Sequence, residues 1–203
     1  MALRKIFLLL SATALMAFHP GDGKKITVVI DAGHGGNDYG AMHEMLTEKE
    51  ITAQICDKIK ALKRNENIDL VFTRTDDQSM TLAERADFIN QIKPDVVVSI
   101  HVNYNKNVTT SGFEIYTPKA HNANREKSVA LATQLAGKLS ENLNVKNRGI
   151  KEAPFFILNK SEAPAMVVEL GFLSNPSDRE YLTGDTGQEK IAQSVLDFIQ
   201  GLQ

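Results

Sequence analysis

The stretch ITVVIDAGHGGNDYG (residues 26–40) decides how the chain is read. Its opening, ITVVID (26–31), is β-branched from Ile26 to Ile30 and apolar nearly throughout, the pattern of a strand covered on both faces. It then runs into a glycine-dense turn that carries His34 and Asp38. Working outward, further β-branched runs read as strands: LVFTR (70–74), VVVSIH (96–101), FEIYT (113–117), FFIL (155–158) and MVVEL (166–170). Between them the apolar period changes to three or four. Ile51, Ile55, Ile59 and Leu62 form one helical stripe, Leu82, Arg85-Ala86 and Ile89 a second. Leu131, Leu135, Leu139 and Leu143 form a third, and Ile191, Val195, Ile199 and Leu202 a fourth. Two helix starts carry the capping-box pattern, Thr47-x-x-Glu50 and Thr81-x-x-Glu84. Strands alternating with helices predict a single α/β domain with a mostly parallel central sheet of about six strands flanked by helices. In such folds function collects at the carboxyl ends of the strands.

The length of 203 residues fits one domain, and 42% hydrophobic residues suffice for a sizeable core. The formal charge is −2, and residues 1–17 hold Arg4 and Lys5 but no acid, so the remainder stands at −4. That balance argues against nucleic acid as a partner, because phosphate binding needs a basic face. Arg4-Lys5 precedes the apolar run IFLLLSATALMAF (6–18), which has signal-peptide length and is shorter than the roughly 20 residues of a spanning helix. Residues 1–20 therefore read as an export signal, cleaved after Ala14 or Ala17, with a retained anchor as the alternative. This predicts a mature chain without a spanning segment, located in the periplasm or cell envelope. Cys56 is the only cysteine, so no intramolecular disulfide forms, and its place beside Ile55 and Ile59 reads as packing.

The turn after the first strand does not fit a dinucleotide fingerprint, since G-x-G-x-x-G register from Gly33 and Gly35 requires glycine at 38 and finds Asp38. The strand VVVSIH ends in the same way as the first, in His101, followed by Asn103. Two apolar strands each ending in histidine suggest a metal site, and catalytic zinc takes three protein ligands drawn from imidazole and carboxylate. The acids near His34 are Glu44, Glu48 and Glu50. With Thr47 as N-cap, Glu50 is taken up as the capping partner, whereas Glu48 at the first helical position can reach over the loop mouth. Glu48 is the choice. The H-E-x-x-H zinc helix is absent, because Thr47 stands where the second histidine after His43-Glu44 would fall. His19, His43 and His121 read as surface-loop residues. Glu169 lies in the apolar run MVVEL, where an unpaired carboxylate is costly. Burial would raise its pKa toward the range of a general acid or base, and a salt bridge to Arg74 or Arg148 is the bland alternative.

The stretches VVIDAGHGGNDYGA, TEKEITAQI, FTRTDD with LAERADFIN, VVVSIHVNYN, NRGIKEAPFFIL and MVVELGFLSNPSDREYL resemble, in order and spacing, the zinc-dependent N-acetylmuramoyl-L-alanine amidases of the Amidase_3 family. The resemblance spans residues 26–202. It implies that residues 24–203 form the catalytic amidase domain, that one zinc is bound by His34, Glu48 and His101, and that Glu169 is catalytic. It further implies that the substrate is the amide joining N-acetylmuramic acid to L-alanine in peptidoglycan. A zinc peptidase cutting within the stem peptide is the alternative. Asn103 and Arg148 occupy motif positions from which they would orient a ligand or receive substrate.

Family members that depend on activator proteins carry an inserted helix over the zinc, after the strand that follows the SIHxN motif. Here only Pro118 to about Asn124 separate FEIYT from the next helical stripe, too few for a loop and a covering helix. No requirement for an activator is expected.

Overall fold

The computed structural model describes residues 25–119 and 121–202. The signal reading of residues 1–20, including His19, lies outside them. In chain order the elements are β1 (Ile26–Ala32), β2 (Met42–His43), β3 (Leu46–Thr47), α1 (Glu48–Leu62), β4 (Ile68–Phe72), α2 (Leu82–Ile92) and β5 (Val96–Asn103). There follow β6 (Phe113–Thr117), α3 (Arg125–Asn142), β7 (Asn147–Glu152), α4 (Phe156–Lys160), β8 (Ala165–Phe172), α5 (Pro176–Thr183) and α6 (Asp185–Gln200). The main sheet has six strands in the order β4-β1-β5-β8-β6-β7, while β2 and β3 form a small antiparallel pair. All neighbours in the main sheet are parallel except β6 and β8.

Side chains two apart along a strand share a face, and this sorts each central strand into two sets. Val28 and Ile30, Val96, Val98 and Ile100, and Met166, Val168 and Leu170 pack into the larger core with the stripes of α1, α3 and α6. The intervening Val29, Val97 and Val167 pack into a smaller core with Ile89 of α2 and Ile157 and Leu158 of α4. Continuing that second set toward the strand ends brings Asp31, Ser99, His101 and Glu169 to the thinly covered face.

Two expectations are corrected. FFIL (155–158) is not a strand, because Phe156–Lys160 is a short helix. Adjacent Phe155 and Phe156 are exposed while adjacent Ile157 and Leu158 are buried, a grouping in pairs that a two-residue period cannot produce. The sixth strand is instead β7, NRGIKE, a polar edge strand whose charged residues mask its β pattern. Thr47 caps nothing, and its hydroxyl donates to Glu50 Oε2 at 2.7 Å, whereas the Thr81–Glu84 capping box is fully formed.

Asp31 is buried at the end of β1 and binds three neighbours at once. It accepts from Arg85 Nη1 of α2 at 2.7 Å, from Thr73 Oγ1 beyond β4 at 2.7 Å and from Ser99 Oγ of β5 at 2.6 Å. Burial opposes its charge, but Arg85 and the two hydroxyls outweigh that and hold its carboxyl below the usual range. Removing one member of a buried ion pair leaves the other uncompensated, at a cost of about 3–5 kcal/mol. Arg85→Ala is therefore expected to lose about that much stability in urea or guanidinium unfolding, and a loss under 1 kcal/mol would remove the pair from its structural role.

Candidate metal centre

The turn after β1 brings His34 to the sheet edge by an unusual backbone path. His34 itself has φ 61°, and Gly35, Gly36 and Gly40 also have positive φ. A non-glycine residue there is strained, and such strain persists only where neighbours enforce it. Two arginines do so. Arg74 donates to Ala32 O at 3.1 Å and Gly33 O at 3.0 Å, and Arg85 donates to Ala32 O at 2.8 Å and to His34 O. Three successive carbonyls without strand partners are thus satisfied.

Glu48, the first residue of α1, is buried and lies between the two histidines. His34 Nε2 is 3.0 Å from Glu48 Oε2, and His101 Nδ1 is 2.8 Å from Glu48 Oε1. Backbone N–H groups fix the carboxylate further, Ala41 donating to Oε2 at 2.7 Å and Val102 to Oε1 at 3.0 Å. One ligand atom from each of His34, Glu48 and His101 falls within 4.8 Å of the others, and no other group of three or more such residues is so placed among the described residues. Donors on a tetrahedral zinc lie about 3.3 Å apart, so small side-chain rotations bring the three onto one ion.

The charge pattern of the cluster also fits a cation. Burial disfavours the charged forms of both histidines, yet hydrogen bonds and attraction from Glu48 raise both, His34 to about 9 with help from Asp38. Burial would raise Glu48, but His101 and His34 outweigh it and hold it well below the carboxylate range. Two ring nitrogens facing one carboxylate each need a proton between them and it, and a bound dication can take the place of those protons. The cradle is tight. A Cβ on Gly33 would lie 2.5 Å from His101 Cε1, and one on Gly40 would lie 2.6 Å from His34 Cδ2.

Asp38, which sequence reasoning used only to exclude a nucleotide turn, accepts from His34 Nδ1 at 2.8 Å. It keeps the proton on Nδ1 and aims Nε2 at the cluster. The signal available was an acid four residues after a histidine in a glycine turn. Glu44 and Glu50, the rejected acids, are exposed. His43 belongs to β2 and His121 is exposed, both outside the cluster. Cys56 is buried in the main core, and burial pushes its thiol far up.

Glu169 pairs in register with His101 on one side and Glu114 on the other. Neither arginine suggested as its counter-ion binds it, since Arg74 serves the turn carbonyls and Arg148 Nε donates to Glu114 at 2.9 Å. Its Oε2 is buried with no hydrogen-bond partner. Burial pushes its carboxyl up to about 7, with His101 opposing and Glu48 and Glu114 adding to the rise. His34, Glu48, His101, Asn103 and Glu169 line a cavity of about 420 Å³ whose rim includes Leu82, Tyr104, Phe155 and Phe156. A larger cleft of about 640 Å³ beside α5 and α6 contains none of the cluster. Asn103 Nδ2 reaches Glu114 Oε1 at 3.4 Å.

The sequence profile described as N-acetylmuramoyl-L-alanine amidase, Amidase_3, matches residues 28–201. The uncharacterized protein YqiI of Bacillus subtilis is 35% identical over 188 residues, covering 93% of this chain and 89% of its own length. The N-acetylmuramoyl-L-alanine amidase LytC of the same organism is 33% identical, and the match covers 84% of this chain but only 34% of LytC. The crystal structure of N-acetylmuramoyl-L-alanine amidase from Clostridium difficile 630 superposes with a TM-score of 0.82 at 33% identity, covering 88% of this chain and 97% of that one.

The purified protein is expected to retain about one zinc per chain. Glu48→Ala should lose it on dialysis, and Asp38→Asn should weaken zinc affinity about 10–100-fold, both read by metal analysis. Full occupancy in Glu48→Ala would remove Glu48 from the ligand set.

Proposed function

The chain belongs to the Amidase_3 family of N-acetylmuramoyl-L-alanine amidases, its activity is zinc-dependent hydrolysis of the amide between N-acetylmuramic acid and L-alanine, and we propose the following division of labour among its residues. His34, Glu48 and His101 hold the zinc, with Asp38 orienting His34. When bound, zinc polarises the scissile carbonyl and activates water near neutral pH.

Glu169 is the proton carrier. The observation that carries this assignment is its buried, unpartnered Oε2 on the wall of the same cavity as the three ligands. A carboxyl group pushed up to about 7 exchanges protons readily at neutral pH. It takes a proton from the attacking water and returns it to the leaving alanine nitrogen. Asn103, near the cavity mouth, orients the bound chain, and the apolar rim of Leu82, Phe155 and Phe156 excludes water from the reacting amide.

The polymer acted on is peptidoglycan, and the chain reaches it by export, with residues 1–20 removed. No helix among the described residues is long and apolar enough to cross a membrane. The cavity works without an activator. Between β6 and α3 run residues 118–124 only, and a helix covering the zinc would need upward of about ten more.

Glu169→Gln keeps shape and removes the ionisable group. Its zinc content and fold should persist while turnover falls at least about 10²-fold; turnover at the level of the unaltered protein would exclude Glu169. Mass spectrometry of purified peptidoglycan after digestion should show free muramic lactate and free alanine amino termini, abolished by chelator. Free carboxylates within the stem would instead identify a stem peptidase. The protein alone, with zinc at neutral pH, should release dye from labelled peptidoglycan, and release only on adding a partner protein would overturn activator independence.

A further inference from the structure

Beside Glu169, on the same face of the sheet, lies a charged cluster to which the hydrolytic steps give no part. Glu114 is 3% exposed. Its Oε2 accepts from Arg148 Nε at 2.9 Å and from Lys151 Nζ at 2.5 Å. Its Oε1 accepts from the Tyr116 hydroxyl at 2.8 Å and, more weakly, from Asn103 Nδ2 at 3.4 Å. One buried carboxylate needs one counter-ion. Here it has two, Arg148 and Lys151, although the Asp178 carboxylate also acts on Arg148.

The donors are also unsaturated. Arg148 uses Nε on Glu114 and Nη1 on Ser111 O at 3.4 Å, and no bond is made by Nη2 among the described residues. Lys151 directs one of its three N–H donors to Glu114 and is 40% exposed. Both heads are held in place from below, the Arg148 guanidinium 5.0 Å from the Phe172 ring centroid and Lys151 Nζ 5.8 Å from that of Tyr116. A fixed guanidinium beside an ammonium, each with free donors, matches the two oxygens of a carboxylate.

Its position relates the cluster to the substrate. The register runs from His101 to Glu169 to Glu114, and from Tyr116 to Lys151 on β7. At about 4.8 Å between strands, Glu114 sits about 10 Å along the sheet from His101. An extended peptide advances about 3.3 Å per residue, so a stem laid along the sheet from the His101 end would bring its second or third residue to the cluster.

We propose that Arg148 and Lys151, held by Glu114, form a subsite for a carboxylate on the second or third residue of the substrate's peptide stem. The inference rests on the amidase reading for the identity of the stem, and it adds a preference for stems whose carboxylate is free over those in which it is amidated.

The test uses two N-acetylated, C-amidated stem tripeptides, one with glutamate and one with its amide at the second position, titrated calorimetrically into the full zinc-loaded protein. The glutamate peptide should bind about tenfold more tightly, the scale of one charge-assisted hydrogen bond. Lys151→Met should collapse that preference, and Lys151→Arg should keep it. The same ratio should appear in KM rather than kcat on muropeptides with free or amidated stems. Equal binding of the two peptides, no measurable binding of the glutamate peptide at millimolar concentration, or an undiminished preference in Lys151→Met overturns the subsite. Failure of the amidase reading is distinguishable, because no muramic lactate would then be released from either substrate.

Discussion

The carboxylate of Asp31, buried at the end of the first strand, is the constraint on which the site depends. It gathers Arg85, Thr73 and Ser99 from three other segments, and Arg85 also donates to the carbonyls of Ala32 and His34. A charged group in a dry environment is tolerated only when paired and fully hydrogen-bonded. Satisfying Asp31 therefore fixes the backbone three residues further on, where His34 takes a left-handed conformation it would otherwise avoid. Arg74 completes the brace from the other side of the turn. The metal ligand is presented by a rigid platform rather than by a free loop.

The sheet converts that platform into a site by register. His101, Glu169 and Glu114 are cross-strand neighbours, so one member of the histidine–glutamate cluster, the buried Glu169 and the charged cluster stand side by side on β5, β8 and β6. Alternation along each strand puts all three on the face covered by α2 and α4, while the opposite face is sealed by α1, α3 and α6. A one-residue slip in β8 would send Glu169 into the larger core and turn Val168 or Leu170 toward the cavity. The same geometry explains how two carboxylates in one site differ. Glu48 lies between two histidines and stays ionised, whereas Glu169 finds no donor for Oε2 and titrates near neutrality.

Much of this was legible before any fold was known. The β-branched run 26–31, the histidines closing two apolar strands, and the acid Glu48 at a helix start led to the ligand set, because strand period and the place where a helix begins are local properties, although the Thr47–Glu50 capping box that set Glu50 aside is not formed. The polar edge strand β7 was hidden, since its charged residues mask the β pattern, and FFIL imitated a strand because a four-residue apolar run carries too little period to tell helix from strand. The roles of Asp38 and Glu114 were equally hidden. Each is a carboxylate whose meaning lies in the residue it touches, His34 in one case and a pair of cations in the other.

The sequence by itself determined the α/β class, five of the six main-sheet strands with the four long helices among them, and the residue types that hold a zinc, all of which follow from patterns within a few positions of each residue. Tertiary structure alone decided which charges pair. Arg74 and Arg148 were equally available to Glu169 by sequence, yet one turns to the carbonyls of the glycine turn and the other points its Nε to Glu114. Glu169 is thereby left without an arginine partner, and its buried Oε2 has no hydrogen-bond partner. The physical reason is that an ion pair depends on distance and desolvation between segments far apart in the chain, quantities that exist only once the strands have taken their register.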